Sequence, residues 1–299
     1  LVGFRGGERV FEVFCEMFPD APIYTLIYQP QSTSAKIESH KIHTSFLNSI
    51  PGIYSQYRKF LPLFPKAAEG LKLEDCNLVI SSSHCVIKGV SRPKGSKHIS
   101  YIHSPMRYIY DQFDSYFGKQ APLYQQWGAK VFRQYLTNWD LQSNKNVDLM
   151  LAKSKFVSER IKKYYAVDAP VLHPFVSFED FLQQEAPSNK QDYFLVVSAF
   201  APNKRIDLAI AAFKELKLPL KIIGSGQMES ELRAAATPNI EFLGNLDRAQ
   251  VIEYFKNARA LIFPGVEDFG ITPLESLAAG TPVIAYKAGG VLETLDEKA

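Results

Sequence analysis

The sequence predicts an α/β protein made of two doubly wound parallel-sheet domains, and three observations predict it. The chain has 299 residues, which at about 150 residues per domain gives two domains with enough mass for two filled cores. Hydrophobic residues make up 46% and charged residues 22%, a balance that excludes disordered, collagen-like and coiled-coil chains. Short apolar runs alternate with helix-period segments, most strictly in the second half, which is the rhythm of consecutive βαβ units.

Taken in order, the first half predicts helices over Glu8–Met17, Pro122–Trp139 and Ser154–Tyr164. Its strands are expected at Ala21–Ile27, Leu78–Ser81, His98–Ile102 and Val147–Ala152. Residues 169–190 carry Pro170, Pro174 and Pro187 with little periodicity and read as a linker. It separates an N-terminal Rossmann-like domain, residues 1–168, from a C-terminal one, residues 191–299.

In the second half, Phe194-Leu-Val-Val-Ser198 is apolar without alternation, as a parallel strand buried on both faces requires. Ile206, Ala209, Ile210 and Phe213 then recur at helical spacing, which predicts a helix over Ile206–Leu216. Further strands are expected at Leu220–Ile223, Ile240–Leu243, Ala260–Phe263 and Val283–Ala285, and further helices at Met228–Ala235, Asp247–Asn257 and Pro273–Ala279.

The overall charge of +3 hides an asymmetry. Residues 1–172 hold 22 Lys and Arg against 14 Asp and Glu, whereas the remainder holds 12 against 17. The basic half suits an anionic partner such as phosphate, a polyanion or a membrane headgroup surface, or else carries ordinary solvated charge. No apolar run reaches the roughly 18 residues of a membrane span. Cys15, Cys76 and Cys85 form no CxxC, and three thiols are too few for a disulfide framework; they read as buried thiols of a soluble protein in a reducing cytoplasm. The opening Leu1-Val-Gly-Phe-Arg-Gly-Gly7 reads as the loop after a strand, and Leu292–Ala299 stop within a helix-like pattern, so the chain is read as a fragment truncated at both ends.

Several motifs fail. Gly224-Ser-Gly226 follows a strand, but Glu229 stands where a dinucleotide fingerprint needs its third glycine. Gly95-Ser-Lys97 has the wrong spacing from Gly89 for a Walker loop, and His40 and His43 lack a neighbouring carboxylate pattern for zinc. No two aspartates are separated by a single residue, so the DxD arrangement that holds a divalent metal is missing.

The constellation that remains is Phe263-Pro-Gly-Val-Glu267-Asp-Phe-Gly270-Ile-Thr-Pro-Leu-Glu275-Ser-Leu-Ala-Ala-Gly280-Thr-Pro-Val283. A strand ends, a loop carries a carboxylate and a glycine, and a helix opens at Pro273 with Glu275 expected in its first turn. Free N–H groups and the positive dipole end of such a helix bind anions. Glu275 has the chemistry to accept from two vicinal hydroxyls, and Glu267 to reach another part of the same ligand.

This segment, with Gly289-Gly290 after it, resembles the retaining nucleotide-sugar glycosyltransferases of family 4, whose GT-B architecture is two facing Rossmann-like domains. Gly6-Gly7-Glu8-Arg9, His103-Ser-Pro105-Met-Arg107-Tyr, Pro202-Asn-Lys204-Arg205-Ile-Asp207 and Ile223-Gly-Ser-Gly226 agree with it. The resemblance implies donor binding by Gly6, Gly7, Gly224, Gly226, Phe269, Gly270, Ile271, Thr272 and Glu275. It implies catalytic roles for Glu267, which orients the sugar, for Lys204 and Arg205, which neutralise the departing diphosphate, and for His103. Many members carry an Arg where Ala199 stands here, and Arg205 is expected to replace it. Arg107 and Lys88 are candidates for an acceptor phosphate and equally readable as surface charge. Trp127, Val131, Phe132, Tyr135, Leu136 and Trp139 share helical spacing, which fits core packing better than a lipid contact.

The sequence is therefore read as a metal-independent, retaining hexosyltransferase. It moves a sugar from a nucleoside-diphosphate sugar, with GDP-mannose preferred, to a saccharide or lipid-linked saccharide in bacterial surface polysaccharide or glycolipid assembly. No cofactor, no metal and no nucleic acid are expected; a cytoplasmic location with peripheral contact at the inner membrane face is. A non-catalytic nucleotide-sugar-binding module, an epimerase or phosphorylase on the same fold and, third, a nicotinamide dehydrogenase are the alternatives.

Overall fold

The computed structural model describes residues 1–4, 6–111, 113, 123–182 and 190–296. The chain forms two compact units that part between Phe175 and Val176. Of the expected linker, residues 183–189 lie outside the described residues. Among the described residues no helix is long and apolar enough to cross a membrane.

The first unit opens with helix α1 (Gly6–Met17). Strands β1 (Ile23–Thr25) and β2 (Ile42–Thr44) form a parallel pair, and β3 (Leu78–Ser83), β4 (Lys97–Ile102) and β5 (Leu149–Ala152) form a parallel sheet in that order. The long helix α2 (Leu123–Ser143) and α3 (Lys155–Tyr165) complete the larger elements. Ser154 caps α3 by accepting from Val157 N at 3.0 Å, which satisfies one of the open N–H groups of the first turn. In α2, Leu136 is fully buried with Phe132 and Trp139 packed beside it, whereas Val131 and Tyr135 are exposed; the Trp127 side chain lies outside the described residues. Cys76 is exposed, against the expectation of three buried thiols, because it follows the polar Lys72-Leu-Glu-Asp loop ahead of β3.

The second unit alternates without exception among its major elements. They are β6 (Phe194–Val197), α4 (Ile206–Leu216), β7 (Leu220–Ile223), α5 (Glu229–Ala235), β8 (Ile240–Gly244), α6 (Arg248–Asn257), β9 (Ala260–Phe263), α7 (Ile271–Ala278) and β10 (Val283–Ala285). The five strands are parallel in the order β10-β9-β6-β7-β8. Both faces are covered, since Val196 and Ile222 enter a cluster with Ile210 and Phe213 of α4, while their neighbours Leu195 and Ile223 enter one with Phe255 of α6. Successive side chains in a strand point to opposite faces, so a sheet covered on both sides makes its central strands largely apolar; Lys221 of β7 is the exception, its ammonium lying over the Tyr193 ring.

Candidate active site

The strand order places the site in the second unit. The connection after β6 leads to β7 on one side, whereas that after β9 leads to β10 on the other. The loops at the carboxyl ends of β6 and β9 therefore flank the switch point, the place where open α/β sheets bind their ligands. Lys204 comes from the first loop and Glu267 from the second, and their side chains form an ion pair, each 21% exposed. The structure thus joins two residues that the sequence singled out separately.

Close backbone approach makes this possible. A Cβ on Gly265 would lie 2.7 Å from Asn203 O and 2.8 Å from Lys204 Cα, so only glycine lets the β9 loop rest on the β6 loop. Sequence reasoning passed over Gly265, whose only signal was the Pro264-Gly265 pair at a strand end. Glu267 is fixed from its other side as well: its carbonyl accepts from Gly290 N at 2.8 Å, and Asp268 and Phe269 are buried beneath it.

Helix α7 begins at Ile271, not Pro273, behind Gly270 in the left-handed conformation (φ 89°). Pro273 is then its third residue and Glu275 its fifth, so Glu275 stands in the second turn and not in the first, a correction of two positions in the helix start. Gly270 offers no side chain to the first turn; Ile271 and Thr272 present its N–H groups. Glu275 is 7% exposed and accepts from Arg248 Nη1 of α6 at 2.5 Å, a partner the sequence reading missed.

Arg205 has a partner of its own in this structure. Its guanidinium forks onto Asp207, with Nε 3.1 Å from Oδ1 and Nη2 3.0 Å from Oδ2, and the side chain is half exposed. The expected replacement for the Arg missing at Ala199 is engaged with a neighbour two residues away, because an acidic first-turn residue is the nearest strong partner for an arginine opening a helix. The backbone of Gly224 and Gly226 is closely approached by the protein itself: a Cβ would meet Ser198 O at 1.9 Å and Phe200 O at 2.6 Å, respectively. These glycines hold the β6 and β7 loops together.

In the first unit, α1 brings its start to the ends of β3 and β4. A Cβ on Gly7 would be 4.0 Å from His103 Cε1, and His103 Nε2 lies 2.7 Å from Ser82 Oγ. The Tyr101 ring stands edge-on to His103 at 5.2 Å. Gly6 is exposed at the first position of α1. Arg107 is half-buried in the turn after β4, which Arg160 of α3 anchors by donating to Ser104 Oγ at 2.7 Å and by pairing with Asp111.

Lys88 is corrected as well. It is 1% exposed, its Nζ lies 2.8 Å from Asp140 Oδ1, and it also donates to Asp140 O, Ser143 Oγ and Asn144 Oδ1 at 2.6–2.7 Å. An interior ammonium with this set of acceptors serves the fold and meets no acceptor phosphate. Among the described residues no three His, Cys, Asp or Glu side chains gather as a metal-binding group.

Comparison with known proteins bears on the same region. Residues 177–299 match the family model described as glycosyl transferases group 1. The chain is 30% identical over 161 residues to O-antigen chain mannosyltransferase C of Escherichia coli, covering 48% of this chain and 43% of that protein. It is 36% identical over 114 residues to a GDP-mannose-dependent monoacylated alpha-(1-6)-phosphatidylinositol monomannoside mannosyltransferase of Corynebacterium glutamicum, covering 33% and 30%. The matches span less than half the length of these curated relatives. Among solved structures, sucrose-phosphate synthase of Thermosynechococcus elongatus aligns with a TM-score of 0.67 at 16% identity over 96% of this chain and 76% of that one. HepE of Anabaena in complex with UDP and glucose aligns with a TM-score of 0.65 at 14% identity over 98% and 80%. The fold class is GT-B.

Proposed function

Residues 177–299 belong to the glycosyl transferases group 1 family, and from that premise we propose that the chain transfers a hexose from a nucleoside-diphosphate sugar to a saccharide or lipid-linked saccharide acceptor, with retention at the anomeric carbon and without a metal. The observation that carries the reading is the Lys204–Glu267 pair at the switch point. Cleavage of the sugar–oxygen bond leaves negative charge on the diphosphate. Lys204 and the N–H groups at the start of α7 supply preorganised positive charge for it. An arriving diphosphate offers Lys204 a competing anionic partner with several acceptor oxygens; it draws Lys204 from Glu267, and the released carboxylate then takes sugar hydroxyls and orients the donor. The acceptor attacks on the face that the leaving group vacates, and a diphosphate oxygen takes its proton. Glu275 accepts from the ribose hydroxyls, and His103, near Gly7, is the catalytic candidate of the first unit.

GDP-mannose is the preferred donor in this reading, supported by the names of the mannosyltransferase relatives, and surface-polysaccharide assembly is the setting. The basic first unit suits peripheral contact with an anionic cytoplasmic membrane face.

The test is transfer from a panel of GDP- and UDP-sugars, read as nucleoside-diphosphate release and as the anomeric configuration of the product, in EDTA and then with added magnesium. Lys204→Ala should lower turnover by on the order of a hundredfold, the scale of removing one preorganised stabilising donor, while nucleotide affinity changes little. Inverted product or a strict metal requirement refutes the corresponding part, and binding without transfer favours the non-catalytic module.

A further inference from the structure

We propose that Arg248 is a positioning residue of the donor site, holding the Glu275 carboxylate in the orientation with which it reads ribose hydroxyls. The proposal rests on the donor role given to Glu275 above.

Arg248 is the first residue of α6, a helix whose start is fixed by the reciprocal bonds of Asp247 and Gln250 at 2.8 and 3.2 Å. A cation at that end opposes the helix dipole, so α6 gains nothing from an arginine there. Its partners lie elsewhere in the unit. The guanidinium sits 4.7 Å over the ring of Phe181, which is 1% exposed and packs edge-on to Phe255. Nε lies 3.5 Å from Asp180 Oδ2, and Nη1 donates to Glu275 Oε1.

The Phe181 ring lies under the guanidinium and Asp180 flanks it, so the N–H aimed at Glu275 belongs to a group held on two sides. A carboxylate sunk to 7% exposure needs a counter-charge, and a rigid one also selects its rotamer. Glu275 then meets a ligand already oriented, without losing rotamer freedom at binding. The segment just after the unit boundary thereby reaches the site through Arg248.

Calorimetric titrations with GDP and UDP, and with their 2′-deoxy and 3′-deoxy analogues, test this on wild type, R248M and R248K. Wild type should prefer the ribonucleotide by at least about tenfold over one deoxy analogue, as a hydrogen bond to a charged group allows. R248M should bind the ribonucleotide more weakly and discriminate less than about threefold, and R248K should restore part of the discrimination by returning the charge without the planar fork. A merely structural arginine would change overall affinity and leave that ratio intact. Should R248M fail to fold, R248K decides, since it must still lower the ratio. Wild type without discrimination overturns the donor role of Glu275, and this proposal with it. A discriminating wild type with equally discriminating variants overturns the role of Arg248 alone.

Discussion

Gly265→Ala adds one methyl group and no chemistry, yet it should damage both the second unit and its site. The new Cβ would lie 2.7 Å from Asn203 O, 2.8 Å from Lys204 Cα and 2.9 Å from Lys204 O. Ordinary contacts begin at about 3.4 Å, and all three atoms are backbone, so no side chain can rotate away. The φ of Gly265 is outside the left-handed region, which makes the cost steric and not conformational. Overpacking of this kind costs about 1 to 3 kcal/mol. Amides of β6 and β9 that exchange through opening of the unit should therefore exchange about 5- to 150-fold faster. Separation of the β6 and β9 loops also parts Lys204 from Glu267, so turnover should fall further than nucleotide affinity. Gly3→Ala, where nothing lies within 4 Å of the added atom, is the control and should stay within about 0.5 kcal/mol of wild type. Hydrogen-exchange mass spectrometry supplies the measurement. Exchange in Gly265→Ala within twofold of wild type would refute the argument that loop contact builds the site.

Two further predictions concern the first unit. Burial holds the pKa of His98 below its ordinary 6.5, with Nδ1 2.8 Å from Asn146 O and Nε2 2.9 Å from Ser81 Oγ; between the two pKa values the unfolded chain binds more protons, so stability rises with pH through that window and falls on acidification. His98→Gln should flatten that part of the profile in urea titrations at stepped pH, and an unchanged profile would assign the acid sensitivity elsewhere. Lys88→Met should cost about 3 to 5 kcal/mol because it strands the fully buried carboxylate of Asp140, and the Lys88→Met/Asp140→Asn double variant should recover part of that loss; a single variant that unfolds at the wild-type urea midpoint would return Lys88 to the surface.

The second unit was legible almost residue by residue. Strands β7, β9 and β10 and helix α4 have the expected bounds, because a sheet covered on both faces writes each strand as an apolar run between polar loops. In the first unit β2 was missed: Ile42-His-Thr44 has one apolar residue and pairs with β1 over three positions, too little for any period to register. Helix α7 was expected to start at Pro273, since proline is favoured at a first helical position. Gly270, at φ 89°, turns the chain earlier, and a left-handed glycine leaves no mark in the sequence beyond being glycine.

The site divides along a different line. Lys204 and Glu267 were identified from separate motifs, but nothing in either motif encodes their ion pair, which follows from strand order and the missing side chain of Gly265. Arg205 and Lys88 show the converse. Each has the charge for a phosphate, and each found a nearer carboxylate: Asp207 two residues on, and Asp140 across the interior. For Arg205 the competing partner was visible in the same hexapeptide, and acidic first-turn residues are expected to attract a cation placed at a helix start. For Lys88 it lay 52 residues away and became visible only when α2 packed beside the turn after β3. Charge alone therefore identifies candidates, and the question that sorts them is which counter-charge the fold brings closest. By that rule Glu275, like Glu267, depends on a partner outside its own motif, because Arg248 reaches it from a different helix.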